Sequence, residues 1–535
     1  MPIRNSSALN FSPSGLTDSF GEQDSFPGSC WKLSNWVFDQ SNPKKVIARP
    51  GVSVLTSFSG FSSPGVVSVI KQFGNRIYGM IATARNTNHD EPFSYDIDTN
   101  AFDTISGVTS GNTPTTQSTA GAWTPPTMDV IGTKLIVTHP GFNGVGSNFF
   151  GVIDISNQAS PAWSSSNTAT NALPSVPVAV AQFGERAYYA VGDAVYFSDV
   201  LVPLTITNAN QILTMGNGFP INALSGLPLT TSQSGVLQGL MVFQKSSIFQ
   251  ITGDSATSNL ALNQSSPNVG TPSPRTVITT PYGVMFLSTD SAYMVNLVGS
   301  VTLLQQSQSQ DIHVPFINSY NATRAVAAYA NGIYRVSLDT TIRNYVLTAA
   351  DFWYDFHFQK WNGWHSFPYH CAIGYGNYFI LASNSSPGKL YKSQPFPDSS
   401  TIYVDNNVAY LCSLETTTFN QDDPLAEKCV VESLIEVLQN SVSTSYSINA
   451  VDENENQYDS VVINTVINSS LWGTGIWGGF VWSSSIPSYS EFSIPWTKPI
   501  TYKKLALQIF CPPSAGAGVG NISIREQHLG YRNTK

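Results

Sequence analysis

The feature that most limits what this chain can become is a tight-turn motif that returns about every 50 residues. The clearest copies are Gln72-Phe73-Gly74-Asn75-Arg76-Ile77-Tyr78 and Gln182-Phe183-Gly184-Glu185-Arg186-Ala187-Tyr188. Weaker copies are Val130-Ile131-Gly132-Thr133-Lys134-Leu135-Ile136, Tyr329-Ala330-Asn331-Gly332-Ile333-Tyr334 and Gly374-Tyr375-Gly376-Asn377-Tyr378-Phe379. Two more hairpins fit around Lys245-Ser246 and Thr289-Asp290. Each reads as two strands joined by a short turn, because Asn-Gly and Gly-Asn tolerate the positive φ that such turns need. Turns at 74, 132, 184, 245, 289, 331 and 376 cut the region into six steps. In an all-β chain this period is the signature of propeller blades, six or seven of them here.

Helical periodicity is nearly absent. The one candidate, Leu425 to Leu438, alternates too freely for a helix, and elsewhere short β-branched and aromatic runs are cut by Gly, Asn, Asp, Ser and Pro. The fold class is therefore all-β. Charged residues are 11% of the 535, against about 25% in an ordinary soluble protein, yet hydrophobic residues are 41%, so the chain can bury a core and is not disordered. The formal net charge of −9 lacks the basic footprint of a nucleic-acid binder. Scarce Glu and Lys exclude a coiled coil.

A second pattern recurs beside the turns. Tyr95-Asp96 is followed by Phe102, Tyr354-Asp355 by Trp361 at the same spacing, and Ile153-Asp154 more loosely by Trp163. This reads as a blade's outer hairpin, with the aspartate entering the turn and an aromatic closing it.

The propeller is expected over 46–410, with Val46–Phe58 closing the ring against the last blade, since closure removes exposed edges. Residues 1–45 read as an N-terminal arm or interface segment. Gly107–Pro126, Ser156–Pro177 and Ser255–Pro274 are polar and Pro-rich and read as long loops. Asp422-Asp423-Pro424 marks a boundary, and 425–535 reads as a separate β-sandwich-like domain with strands at Ser445–Val451, Ser460–Ile467, Glu491–Pro495, Lys504–Phe510 and Asn521–Gln527. The N-terminus has no apolar core of a signal peptide, and no apolar run approaches the ~18 residues of a membrane helix. The expected compartment of synthesis is a cytoplasm.

No constellation of catalytic residues stands out, and no cofactor is expected. Cys30, Cys371, Cys412, Cys429 and Cys511 are odd in number and far apart, which suits buried small hydrophobes better than disulfides or zinc. The histidines are His89, His139, His313, His357, His365, His370 and His528. The close set, His357, His365 and His370, falls in an aromatic segment whose alternation spreads it over both faces of a hairpin, so no metal site is expected. Asp452-Glu453-Asn454-Glu455-Asn456 opens like a calcium loop but has Gln457 where Gly is needed and Ile463 where Glu is needed, leaving a polar hairpin tip. Gly473-Thr474-Gly475-Ile476-Trp477-Gly478 matches GxGxxG without the strand–helix context that gives it meaning. Asp96 and Asp98 share one strand face, which alone does not make a glycosidase. Between Phe352 and Tyr369 nine of eighteen residues are aromatic. Phe352, Tyr354, Phe356 and Phe358 are expected on one face, Trp353 and His357 on the other, with Asn362-Gly363 as the turn and Trp364 starting the return strand. Cross-strand packing explains such a run. The other reading is an aromatic platform or interface built from Trp353, His357, Trp361 and Trp364, with Trp472, Trp477 and Trp482 in the C-terminal part.

One ordered series of segments resembles a known family. It runs Asn35-Trp36-Val37-Phe38-Asp39, Ala48-Arg49-Pro50-Gly51, Val195-Tyr196-Phe197-Ser198-Asp199 with Pro203, Gly239–Thr252, Tyr282–Val295 and Tyr354–Trp364, then Trp472-Gly473, Trp477-Gly478, Trp482 and Gly530-Tyr531-Arg532. In this order the series resembles the tail nozzle or hub proteins of short-tailed bacteriophages, also called packaged-DNA stabilisation proteins. The resemblance implies a non-enzymatic virion structural protein, assembled in the bacterial cytoplasm. It implies a homohexameric ring below the portal and its adaptor ring, alongside tail fibres or spikes and a plug or needle protein. Viral dsDNA would be retained there and later ejected through the lumen, without specific binding. Two alternatives stand beside it: a glycan-binding, receptor-binding tail propeller, and a propeller glycoside hydrolase or lyase.

Overall fold

A computed structural model describes the chain except for residues 1–6, 18–27, 62, 84–87, 117–123, 233–234, 255–258, 305–313, 343–344, 384, 399–400, 419–426, 440–442, 453–454, 466–487, 513–515 and 531–535. Seven four-stranded antiparallel blades stand around one axis. Six are each made from one stretch of chain, with inner strands Val67–Phe73, Thr127–Ile131, Ala179–Phe183, Ile221–Ser232, Ile278–Thr280 and Val326–Ala330 in blades 1 to 6. Blade 7 is composite. Cys371–Tyr375, Tyr378–Ala382 and Lys389–Ser393 supply three strands, and Val52–Ser57 from the start of the chain supplies the fourth, pairing antiparallel from Val52↔Ser393 to Ser57↔Lys389. Inner strands neighbour one another in chain order, and that of blade 7 lies beside that of blade 1. The expected ring closure is thus made by Val52–Ser57; the preceding Asn42–Ala48 pairs elsewhere, with Trp36–Asp39 and Gly518–Gly530.

Five expected turns join the first and second strands of their blades, and Gly74, Gly132, Gly184, Gly332 and Gly376 all take positive φ. The turns around Lys245 and Asp290 differ: they join the second and third strands of blades 4 and 5. The inner turn of blade 5 falls at Pro281-Tyr282. There the Thr280 hydroxyl, donating to the Gly283 carbonyl at 2.9 Å and accepting from the Tyr282 N–H at 3.2 Å, replaces the Gly-Asn chemistry the motif relies on.

The outer-hairpin pattern holds in all three copies. Tyr95 pairs with Phe102, Ile153 with Trp163, and Tyr354 with Trp361. Each aspartate caps its turn: Asp96 Oδ1 accepts from the Asp98 N–H at 2.9 Å, Asp154 Oδ1 from Ser156 at 3.0 Å, and Asp355 Oδ1 from His357 at 2.8 Å.

Two of the expected loops hold strands. Ala162–Ser166 is the fourth strand of blade 2, and Asn259–Ser266 the fourth of blade 4. These are outermost strands with mostly exposed or half-exposed residues, so their Ser- and Asn-rich composition imitates a loop.

The remaining strands form a sandwich, and here the domain expectation needs correction. Within 1–45, read as an arm or interface segment, the described strands Ser7–Phe11 and Ser29–Ser34 belong to the sandwich sheets. Ser7–Phe11 pairs with Gly518–Gly530, from Ser7↔Glu526 to Phe11↔Ile522, in a sheet that also contains Glu427–Gln439 and Ser488–Ser493. Ser29–Ser34 joins Cys412–Thr416 in the facing sheet, with Ala506–Cys511, Ser445–Val451 and Gln457–Asn464 beyond it. The helix candidate is the strand Glu427–Gln439, whose Ser433, Ile435 and Val437 alternate inward. The second sheet also continues blade 6, because Leu33 pairs with Gly363. Accordingly one apolar cluster runs from Ile435 and Val437 through Ile448, Leu507 and Ile509 into Val336, Phe352 and Tyr354 of blade 6. The Asp422-Asp423-Pro424 boundary lies outside the described residues. Among the described residues no helix is long and apolar enough to cross a membrane.

Candidate functional site at the joint of propeller and sandwich

Where the sandwich meets blades 6 and 7, residues from three separate parts of the chain, 35–49, 362–366 and 405–411, form a buried polar joint. Asn35 sits in the left-handed region (φ 61°) between two strands, a conformation Asn accepts at little cost. Its N–H donates to His365 Nδ1 at 3.0 Å, and its Nδ2 donates to the Leu411 carbonyl at 2.7 Å. Its Oδ1 accepts from Arg49 Nε at 2.9 Å and from the Ser366 N–H at 3.1 Å. Arg49 then reaches Asp405 with both ends of its guanidinium, Nη1 to Oδ1 at 3.0 Å and Nη2 to Oδ2 at 2.5 Å, and lies 4.2 Å from the Tyr410 ring centre. The Tyr410 hydroxyl donates to the Arg49 carbonyl. Asp405 is held in turn by pairing beside Val52 and by accepting the Val52 N–H at 3.1 Å.

Burial works against charge on Arg49, but Asp405, with Tyr410, outweighs it and raises the guanidinium above its ordinary value. His365 goes the other way: burial, then the nearby charges of Arg49 and Arg335, hold it well below the usual histidine range. A neutral His365 accepting at Nδ1 carries its proton on Nε2, which donates to Asn362 Oδ1 at 2.9 Å. Both ring nitrogens are committed, so His365 is a structural bracket and not a base.

A second cluster continues the first. Arg335 Nη1 donates to Ser393 Oγ at 3.1 Å, linking blade 6 to blade 7. Asp351 accepts from Arg335, from Trp353 Nε1 at 2.8 Å and from the Tyr369 hydroxyl at 2.9 Å. The Arg335 guanidinium lies 4.8 Å from the Trp353 ring and 4.7 Å from the Tyr369 ring. The Trp353 ring meets His365 edge-on at 4.6 Å, so the two clusters touch. Nothing in the sequence reading singled out Arg335 or Asp351. The available signal was Arg335 and Asp351 within the strands IYRVSLDTTI and YVLTAADFWYD, since a charge that a strand buries requires a partner.

The aromatic platform is not assembled as expected. Trp353 is 0% and Trp361 1% exposed, so neither offers a stacking surface. Trp353 is occupied by Asp351 and Arg335, and Trp361 packs against Tyr354 and Phe316 at 5.2 and 5.5 Å. His357 is the partly exposed member, its ring 3.3 Å from Asp355 Oδ1, and Trp364 is half-buried. Asn362-Gly363 is not the turn. The turn spans residues 356–359, so Phe356 and Phe358 leave the strand alternation, while Asn362 and Gly363 lie within strand Lys360–His365. There the register slips between Asp351 and Trp353, and a Cβ on Gly363 would come 2.8 Å from the Asp351 carbonyl oxygen. Trp472, Trp477, Trp482 and the GxGxxG match lie outside the described residues. Among the described residues no group of three or more His, Cys, Asp or Glu is placed to hold a metal ion. Cys30, Cys371, Cys412 and Cys511 are buried, Cys429 is half-buried, and all five thiols are free.

No family model matches the chain, and no curated protein matches its sequence. Similarity is found among solved structures. A puromycin hydrolase matches at 9% identity and a TM-score of 0.39, over 69% of this chain and 62% of that one. A puromycin-hydrolysing peptidase of Mycobacterium tuberculosis matches at 10% and 0.35, over 69% and 61%. The Dos1 propeller matches at 9% and 0.36, over 66% and 97%. The chain thus spans less than two thirds of the length of the two puromycin-hydrolysing structures it matches.

Proposed function

We propose that this chain is a structural, non-enzymatic subunit of a bacteriophage tail, a nozzle or hub protein that forms a ring below the portal and its adaptor. In this reading the ring retains packaged DNA and later conducts it out. The observation that supports it most is the joint. Three of the segments that carry the family resemblance, Asn35–Asp39, Ala48–Gly51 and Tyr354–Trp364, meet around Asn35, Arg49 and Asn362, although the last lies about 300 residues beyond the first two. A part that must hold two domains rigid under internal pressure needs a joint of this kind, where Asn35, Arg49, His365 and Asp405 are each tied to another segment.

DNA passes through the lumen of the multi-subunit ring, not through a single propeller. The cavity on the propeller axis, lined by inner strands of all seven blades, measures 420 Å³, the size of a small-molecule site. With 34 acidic against 25 basic residues, the chain favours a conduit that does not grip phosphates. Negative-stain images and mass photometry of the purified chain, alone and mixed with the adaptor protein of the same phage, test the reading. A closed ring and no salt-dependent binding of duplex DNA are expected. A monomer under every condition, or release of reducing sugar from host polysaccharide, overturns it.

A further inference from the structure

Two cavities adjoin on the propeller face where the inner strands begin. One of 360 Å³ lies between blades 5, 6 and 7, and one of 620 Å³ beside it is lined by residues at the starts of blades 2 to 6. They are neighbours, lined by consecutive residues: Pro274 and Thr323 line the larger, Arg275 and Arg324 the smaller. Three cations line the pair, Lys245, Arg275 and Arg324, against one carboxylate, Asp339. In a chain whose acids outnumber its bases this excess is local and concave.

Asp339 is largely committed to its own surroundings. Its Oδ1 accepts the Ala349 N–H at 2.9 Å, its Oδ2 accepts from Asn321 Nδ2 at 3.3 Å, and Arg324 Nη1 stands off at 3.7 Å with its side chain 34% exposed. Arg275 is fixed differently. Nη1 donates to the His370 carbonyl at 2.5 Å and Nη2 to the Arg324 carbonyl at 2.9 Å, so its charge is locked into the cavity wall. Burial above all, with the charge of Arg324 adding to it, pulls Arg275 down to about 10. Two like charges crowded at a concave wall favour an anion between them.

We propose that this cleft binds a small ligand carrying a carboxylate or phosphate group, gripped by the adjustable Arg324 against the fixed Arg275, with Lys245 guiding it from the adjoining cavity. The volumes fit a ligand of monosaccharide size or somewhat larger. Guanidinium forks match both anions, so the chemistry is shared and the counter-group is open to test. The proposal is independent of the tail reading: a ring-forming protein and a monomer could equally carry the site.

Isothermal titration of the full chain at low salt tests it, with inorganic phosphate, galacturonate and citrate as probes and galactose as the neutral control. At least one anion should bind saturably at one per chain, galactose should not, and affinity should fall about tenfold or more in Arg324→Gln. Arg324 is partly exposed, so that variant should keep the wild-type melting temperature, and Lys245→Gln should weaken binding less. Phosphate binding without galacturonate binding assigns a phosphate ligand, and the reverse a carboxylate. No anion binding up to millimolar concentrations, or binding indifferent to both substitutions, overturns the proposal.

Discussion

Arg335 and Asp351 form an ion pair with no exposed surface on either side chain: Nη2 lies 2.8 Å and Nε 2.9 Å from Asp351 Oδ2. Burial pushes the Asp351 carboxyl up, and Arg335, Trp353 and Tyr369 oppose it. Such a pair costs most when half of it is removed, because the survivor stays buried without compensation. Asp351→Ala should therefore destabilise by about 3–5 kcal/mol, whereas Arg335→Met with Asp351→Leu should recover most of that loss. Urea denaturation of the three proteins checks this. A double variant as unstable as the single one would mean that the pair itself stabilises the blade.

The outer-hairpin aspartates make a pH prediction. In the folded chain Lys134, then the Ser156 N–H, lower Asp154 from 3.8 to about 2. A carboxyl lowered by folding adds stability that is complete above its unfolded value and is lost as pH falls through its folded one. The contribution of Asp154 should thus be intact above about pH 4 and gone near pH 2. Asp154→Asn should flatten that part of the stability profile, measured by denaturant midpoints between pH 2 and 5, and should leave the profile above pH 5 parallel to wild type.

The thiols should divide by burial. Cys30 and Cys511 are pushed far up by burial, and Cys371 to about 11 by the same cause, so none of them offers a thiolate near neutrality. Ellman's reagent at pH 8 should modify about one thiol per native chain, at Cys429, and five after denaturation. Rapid reaction of more than two would show that the sandwich core opens readily.

Cutting the chain after residue 418 should not leave a well-behaved propeller. The cut removes the strand partners of Ser7–Phe11 and strips one side of Cys412–Thr416, exposing apolar faces and unpaired edges. The expected product is insoluble or aggregated, read by size-exclusion chromatography. A monodisperse fragment would show that the propeller stands alone.

Much of this architecture was legible in the residues. Gly74, Gly132, Gly184, Gly332 and Gly376 announce the inner turns because positive φ has few chemical solutions. The Tyr95–Phe102 and Tyr354–Trp361 pairs follow from turn chemistry acting over seven residues. What escaped was non-local. That Ser7–Phe11 belongs beside Gly518–Gly530 depends on pairing across the whole chain, and its own composition carries no trace of it. Asn362-Gly363 is the strongest two-residue turn signal in its segment, yet Asp355 and the Tyr354–Trp361 pair set the turn at residues 356–359 instead. Of the joint, Arg49 and Asn35 lay inside recognisable segments, but Asp405, Arg335 and Asp351 are ordinary single residues until the fold brings their partners to them.

The composite seventh blade also bears on how the protein is made. A ribosome adding about 5–20 residues per second takes roughly half a minute to two minutes over this chain, and it emits Val52–Ser57 among the first strands and Lys389–Ser393 among the late ones. Ser7–Phe11 waits longer still, for Gly518–Gly530. Blades 1 to 6 can assemble during synthesis, but Val52–Ser57 stays without Lys389–Ser393, and Ser7–Phe11 without Gly518–Gly530, until late in translation, so protease should cut at these two strands in chains stalled before residue 380. The finished molecule inherits the converse property. Its two ends are fastened by each other, and neither can peel away without first unzipping a sheet begun by the other.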